Sequence, residues 1–184
     1  QQYIECLDPL GEEWGKQPFS LTPQAFGQFM VDLFWLWHED LQRGREQYNR
    51  KFENYVWILM GRIPEACEQR GTCGMQMVME ADGSVYPCDF YVMDKYRLGN
   101  FNTDRLDDID ARRRELLFTE ESGKISQVCR DCAYYRVCRS GCQRSRIYYP
   151  QEGGYRSYFC EGYRRFFREC LGALKEIARR LERG

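Results

Sequence analysis

The stretch Cys129-Arg130-Asp131-Cys132-Ala133-Tyr134-Tyr135-Arg136-Val137-Cys138-Arg139-Ser140-Gly141-Cys142 sets four thiols within fourteen residues, spaced C-x2-C-x5-C-x3-C. A C-x2-C step puts two sulfurs on one tight loop facing a common point, and the next two steps bring in two more. Thiols this dense in a loop oxidise or cross-link promiscuously unless a metal holds them. Cys160 follows after x17, and an upstream group reads Cys67-x5-Cys73-x14-Cys88. These eight sulfurs make two complete four-thiolate sites, a donor set that suits zinc or iron–sulfur clusters.

The composition narrows the choice. His38 is the only histidine among 184 residues, which excludes sites built on two or more imidazoles, the common zinc-finger, zinc-hydrolase and His-rich iron centres among them. The ten cysteines make up about 5% of the chain, below the roughly 8–10% of small disulfide scaffolds. Aromatics at 15% supply a core without disulfide staples. A disulfide framework needs an oxidising compartment, and nothing in the sequence points to export. Two structural zinc sites remain open, although zinc more usually takes CxxC paired with CxxC or with histidine. Two iron–sulfur clusters fit the single CxxC better, because one run of cysteines can feed two clusters.

With 27 basic and 28 acidic residues the net charge is -1, which argues against a nucleic-acid-binding module. No run of about 18 apolar residues occurs, so no membrane helix is expected. The chain begins Gln1-Gln2-Tyr3 with no signal-peptide pattern, and a cytoplasmic piece of a longer protein is expected. Tyr3–Leu7 reads as a strand ending at Asp8-Pro9. Thr22-Pro23 opens a helix with a capping hydroxyl and a proline at the first helical position. Phe26, Phe29, Met30, Leu33, Phe34, Trp37 and Leu41 form its apolar stripe, with Gly44 as the stop. A second helix covers about 49–60 with Phe52, Tyr55, Val56 and Leu59 inward. From Cys67 the pattern changes. Residues 76–79 and 85–86 flank Ala81-Asp82-Gly83-Ser84 and predict a β-hairpin. A helix follows over about 104–118, then an irregular cysteine- and tyrosine-rich stretch over 129–160. A final helix runs from about Cys160 to Leu181 with Phe166, Phe167, Leu171, Leu174 and Ile177 as its apolar side.

The eight-cysteine spacing resembles the signature of the SPASM domain, the C-terminal part of a group of radical S-adenosylmethionine enzymes. The segment Glu80-Ala81-Asp82-Gly83-Ser84-Val85-Tyr86-Pro87-Cys88-Asp89-Phe90-Tyr91-Val92 is similar to the subgroup of anaerobic sulfatase-maturating enzymes. Leu98-Gly99-Asn100, the Cys138–Cys142 turn and Tyr158-Phe159-Cys160 extend the likeness, which runs from about Cys6-Leu7-Asp8-Pro9 to the end. The fold this implies is α+β: residues 1–66 as the last strand and helices of a truncated, partial (β/α)6 barrel, and residues 67–184 as a small SPASM domain with a β-hairpin, irregular cysteine-rich loops and a long C-terminal helix.

The resemblance also implies chemistry. Cys67, Cys73, Cys88 and Cys142 would hold one auxiliary [4Fe–4S] cluster, and Cys129, Cys132, Cys138 and Cys160 the second, with no iron left open for substrate. The family converts a sulfatase cysteine or serine to Cα-formylglycine: a 5′-deoxyadenosyl radical removes a hydrogen from the substrate Cβ, and an electron and a proton must then leave. An auxiliary cluster would accept the electron. Asp89, which follows Cys88, occupies the position of the family's proposed general base; without the resemblance it reads as a turn cap or an arginine partner. The expected partners are a sulfatase polypeptide and a reductant protein such as a flavodoxin or ferredoxin, with no nucleic acid and no membrane. The radical-generating motif C-x3-C-x2-C is missing, since Arg144 and Ser145 follow Cys138-x3-Cys142. S-adenosylmethionine and a third cluster are therefore expected upstream, and the chain alone should be inactive.

Two other readings stand beside this one: another SPASM enzyme acting on a different peptide, and a non-catalytic double-zinc module that binds protein. Among the remaining residues, Cys6 reads as a buried free thiol, Cys170 as helix packing, and His38 as a side chain satisfied near a helix end. Five lysines leave 22 arginines, six of them (Arg164, Arg165, Arg168, Arg179, Arg180 and Arg183) on the last helix, where a solvated face is the ordinary explanation. Tyr134, Tyr135, Tyr148 and Tyr149 are expected to shield sulfur from water.

Overall fold

A computed structural model describes residues 1–45 and 47–183. In chain order the elements are α1 (Pro23–Gln42), α2 (Arg50–Leu59), β1 (Val78–Met79), β2 (Ser84–Tyr86), β3 (Gly99–Asn100), α3 (Leu106–Glu115), α4 (Phe118–Ser122), α5 (Gln127–Arg130), α6 (Tyr135–Cys138), β4 (Arg146–Tyr149), β5 (Gly154–Ser157) and α7 (Cys160–Arg183). They pack as two units, Gln1–Gly71 with Ile125–Gly184, and Thr72–Lys124. These units follow the density of packing, whereas the 1–66 and 67–184 division follows family likeness, so the packing does not decide that division.

The first unit is built on helices. Thr22 Oγ1 caps α1 by accepting from the N–H of Ala25 at 3.1 Å, with Pro23 at the first position, and Asn49 Oδ1 caps α2 from Phe52 at 3.3 Å. The core joins Phe26, Met30, Phe34 and Trp37 of α1 to Phe52, Tyr55 and Val56 of α2 and to Tyr163, Phe166, Phe167, Cys170 and Leu174 of α7. The four large rings Phe34, Phe52, Phe166 and Phe167 are almost completely buried. Phe34 meets both Phe52 and Phe166 edge-on at 5.3 and 5.9 Å, a geometry that adds to simple area burial.

α1 and α7 cross where two glycines meet. A Cβ on Gly162 would lie 2.5 Å from the carbonyl oxygen of Pro23 and 2.7 Å from the Phe26 ring, and one on Gly27 would lie 2.7 Å from Gly162 Cα. Gly162→Ala is expected to force the helices apart and to destabilise the chain by about 1–3 kcal/mol despite alanine's better helix propensity. Thermal unfolding checks this: a melting temperature equal to or above that of the parent would show that the crossing does not need the bare backbone.

Lys51 of α2 is buried between Glu5, to which it donates, and Glu68, 3.3 Å away. Burial alone would lower the Lys51 pKa, but the charges of Glu68 and Glu5 outweigh it and hold the ammonium above its ordinary value. Gln69 Nε2 donates to the Lys51 carbonyl at 3.0 Å and Ala66 N–H to Asn54 Oδ1 at 3.3 Å, so the 3-10 turn Cys67–Gln69 is moored on α2.

The second unit carries the predicted hairpin. β1 and β2 pair antiparallel, Val78 opposite Tyr86 and Met79 opposite Val85. The turn closes because Gly83 takes φ +85°, its N–H donates to the Glu80 carbonyl at 2.9 Å, and Asp82 accepts from both the N–H and hydroxyl of Ser84. β3 adds a third strand, Ser84 opposite Asn100 and Val85 opposite Gly99. Val85, Leu98 and Ile109 form a small core, and Tyr91, Tyr96 and Phe118 a second, edge-on aromatic one.

Several expectations need correction. No strand forms at Tyr3–Leu7: a strand exists by hydrogen-bonding to a neighbour, and no described strand pairs with this segment. The helix expected over 104–118 ends at Glu115 because Leu117 adopts φ +52°, and α4 starts afresh. The stretch 129–160 is less irregular than expected. It holds the two single-turn helices α5 and α6 and a β4–β5 hairpin with Arg146 opposite Ser157 and Tyr149 opposite Gly154. Phe29 is exposed and meets Tyr3 rather than the core, Cys6 is exposed rather than buried, and Val31 takes a core place the stripe did not include. Among the described residues no helix is long and apolar enough to cross a membrane.

Candidate metal centre

Four of the eight thiols come together within the first unit. Cys129 lies on α5, whose first turn is capped by Ser126 Oγ accepting from the Cys129 N–H. Cys132 closes the next turn by donating its N–H to the Cys129 carbonyl at 3.1 Å. Cys138 ends α6, and Cys160 begins α7. All four line one cavity of about 580 Å³, together with Ser140, Arg156, Arg164, Tyr134, Tyr135, Tyr163 and Phe167. Tyr134 and Tyr135 thus stand at the thiols as expected. Tyr148 and Tyr149 do not: Tyr148 packs on Tyr155 of the hairpin and Tyr149 under the Arg156 guanidinium.

The electrostatics of this set call for a cation. Burial pushes the Cys138 thiol up to about 12; the N–H of Ser140 works against that, and the neighbouring Cys160, Cys129 and Cys132 reinforce it. Burial likewise raises Cys160 to about 11, with Cys129 adding and Arg156 and Arg164 opposing. Thiols that repel one another as thiolates give up their protons when a cationic centre binds them. Among the described residues no cysteine forms a disulfide, and no three His, Cys, Asp or Glu side chains gather as closely as one metal ion requires. Four sulfurs set around a cavity of this volume fit a polynuclear cluster, whose ligands stand further apart than the ligands of one ion bonded at about 2.3 Å.

The loop joining Cys138 to Cys142 has an unusual backbone. Arg139, Ser140 and Gly141 all take positive φ, at 51°, 68° and 62°. For the two non-glycine residues this costs on the order of 1–2 kcal/mol each, so the surroundings must hold the loop. The buried Arg146 does so: its Nε donates to the Ser140 carbonyl at 3.1 Å and its Nη2 to those of Gly141 at 2.6 Å, Gly71 at 3.2 Å and Arg139 at 3.3 Å. Ser140 Oγ accepts from the Ser157 N–H at 3.2 Å and stands 3.8 Å from Cys129 Sγ. Neither Arg146 nor Ser140 was singled out by spacing. Ser140-Gly141 carries a turn signal, but nothing local marks Arg146, whose carbonyl partners lie five to seven residues before it and, at Gly71, 75 residues before it.

The other four thiols divide between the units. In the first unit, Cys67 opens the turn moored by Lys51 and is exposed, and Cys142 is half-buried ahead of the Gln143–Ser145 turn. Arg144 in that turn donates to the Asp8 carbonyl and lies 5.7 Å over the Trp14 ring. In the second unit, Cys73 donates its N–H to Ser122 Oγ at 2.8 Å and Cys88 is buried directly after the hairpin. Asp89 opens a 3-10 turn with its side chain exposed; Oδ1 accepts from the Phe90 N–H at 3.1 Å and from the Cys88 thiol at 3.2 Å. Once Cys88 is a thiolate it has no proton to donate, which frees that oxygen for another donor.

Residues 67–133 match the SPASM family, an iron–sulfur cluster-binding domain, so the chain carries such a domain. The likeness then extends over the whole chain. It is 38% identical over 182 residues to a cysteine-type anaerobic sulfatase-maturating enzyme of Clostridium perfringens (strain 13 / Type A), covering 98% of this chain and 49% of the relative. It is 30% identical over 161 residues to a serine-type enzyme of Bacteroides thetaiotaomicron, covering 85% and 38%. The solved structure of native anSMEcpe with bound AdoMet and Cp18Cys peptide superposes with a TM-score of 0.87 at 38% identity, over 98% of this chain and 50% of that one. The chain thus matches the SPASM-bearing, C-terminal region of the anaerobic sulfatase-maturating enzymes, and it spans about half the length of the relatives it matches.

Proposed function

We propose that the chain is the auxiliary-cluster region of a radical S-adenosylmethionine oxidoreductase that converts a residue of a sulfatase to Cα-formylglycine. The observation that carries this is the cavity walled by Cys129, Cys132, Cys138 and Cys160 within a chain related to such enzymes along its length. In this reading those four thiols hold one auxiliary [4Fe–4S] cluster, and Cys67, Cys73, Cys88 and Cys142 hold the other. When bound, the clusters supply a one-electron acceptor. Residues 1–66 contribute the last helices of a partial (β/α)6 barrel and residues 67–184 form the cluster domain. A cysteine target is favoured, because identity to the cysteine-type enzymes, at 35–38%, exceeds that to the serine-type, at 27–30%.

The chain's own residues then divide the work. Asp89 takes the substrate proton on the carboxylate oxygen that ionised Cys88 releases. Tyr134, Tyr135 and Phe167 keep water from the sulfurs of the second set. S-adenosylmethionine and the third cluster bind outside these 184 residues, so the chain alone does not cleave S-adenosylmethionine. Reducing equivalents come from a flavodoxin- or ferredoxin-like protein, and the cytoplasm keeps the thiols reduced.

The test is metal analysis. The anaerobically reconstituted chain is expected to hold about eight iron atoms with matching sulfide, as two four-iron clusters require. About two zinc atoms with no brown absorbance would replace this reading with the zinc module.

A further inference from the structure

We propose that Arg146 is a positioning residue common to both cluster sites: by holding the left-handed Arg139–Gly141 loop it sets Cys138 and Cys142 together. The proposal rests on the ligand sets given above, in which the two ends of this one loop serve different clusters. Three consecutive residues with positive φ turn their carbonyls to one side. That side is occupied by the Arg146 guanidinium, bonded to the carbonyls of Arg139, Ser140 and Gly141. The loop's N–H groups face elsewhere: that of Arg139 donates to the Tyr135 carbonyl at 3.0 Å and that of Gly141 to the Cys138 carbonyl at 3.2 Å. A planar fork with five donors can satisfy several carbonyls at fixed angles, whereas an ammonium with three donors on a flexible stem cannot reproduce that pattern.

The guanidinium reaches further than the loop. Its bond to the Gly71 carbonyl ties the loop to the segment that follows Cys67. Arg139 reinforces the tie by donating to the Gln69 carbonyl at 3.2 Å, and Gly71, which takes φ +89°, packs closely on it, since an added Cβ would lie 3.2 Å from Arg139 Cβ. Gly141 is pinned from the opposite side, where a Cβ would lie 2.9 Å from the Tyr163 hydroxyl. Arg146 itself sits on β4, opposite Ser157 of β5, so the hairpin missed by sequence reading is what delivers the guanidinium. Its positive charge lies on the loop that carries ligands to two anionic clusters, and such a charge favours their reduced forms.

Arg146→Gln and Arg146→Lys in the anaerobically reconstituted chain test this, read by iron and sulfide content, by the electron paramagnetic resonance of each reduced cluster and by redox titration. Arg146→Gln is expected to reduce the occupancy of both clusters and to lower the midpoint potential of whatever remains of each. Arg146→Lys keeps the charge but not the fork, and should keep potentials near those of the parent while still losing iron from both. If Arg146→Gln unfolds by circular dichroism, Arg146→Lys decides alone. Parent-like iron and potentials in the lysine variant, or loss confined to one cluster, would overturn the proposal. A parent chain that binds no iron would instead overturn the cluster reading on which it rests.

Discussion

Asp89→Asn in the full-length enzyme is expected to leave iron and sulfide content unchanged and to slow formylglycine formation by about 10²–10⁴-fold, the usual contribution of a positioned general base. The amide keeps the shape of the carboxylate and one acceptor oxygen, so the Phe90 N–H at 3.1 Å can still be satisfied and the 3-10 turn retained. What disappears is the ability to hold a proton at the oxygen that faces Cys88. The effect should therefore fall on turnover more than on affinity for the sulfatase peptide. Asp89→Glu tests placement separately, since it restores basicity about one methylene away. Parent-like turnover in the asparagine variant would remove Asp89 from the chemistry and leave it as the turn cap its local contacts already describe.

The second large effect separates the two ligand sets. Cys160→Ala is expected to lower iron from about eight to about four atoms per chain and to remove one cluster's spectroscopic signal. Cys142→Ala should produce a similar loss in the other signal, although Cys142 lies only four residues beyond Cys138. The pair of variants therefore reads out the crossover of one loop between two sites. Loss of the same signal in both would reverse the assignment of Cys142. Full iron retention in Cys160→Ala would mean that the cavity at the start of α7 is not a cluster site.

Much of the scaffold is legible in the sequence because its signals are local. Thr22-Pro23 announces a helix through the hydrogen bond that the Thr22 side chain makes, and Asp82-Gly83 announces a turn through its φ and its contacts with Ser84. Spacing groups Cys129, Cys132, Cys138, Cys142 and Cys160 in one run; it is the family resemblance that sets Cys142 apart, and the other four line one cavity. The rest depends on distant partners. Arg146 is an arginine among 22, and only the fold brings Gly71 and the Arg139–Gly141 carbonyls to it. β3 is two residues long, too short to show any periodicity, and exists because Val85 is there to receive it. Tyr148 and Tyr149 of β4 read as cluster cover, although both are ordinary hairpin residues. Tyr3–Leu7 shows the opposite failure, since a short mixed run promises a strand that only a neighbour can make real.

Cys160 is the first residue of α7, and α7 is fixed two residues later, where Gly162 meets Gly27 in a core that uses phenylalanine and tyrosine rings rather than sulfur–iron bonds. Under the proposed ligand sets, one anchor of the inorganic centre would therefore be put in place by ordinary packing. If Cys160 is a cluster ligand, its place at the head of α7 does not wait on iron. A copy that had lost such a cluster would then keep this corner of its housing, ready to be refilled.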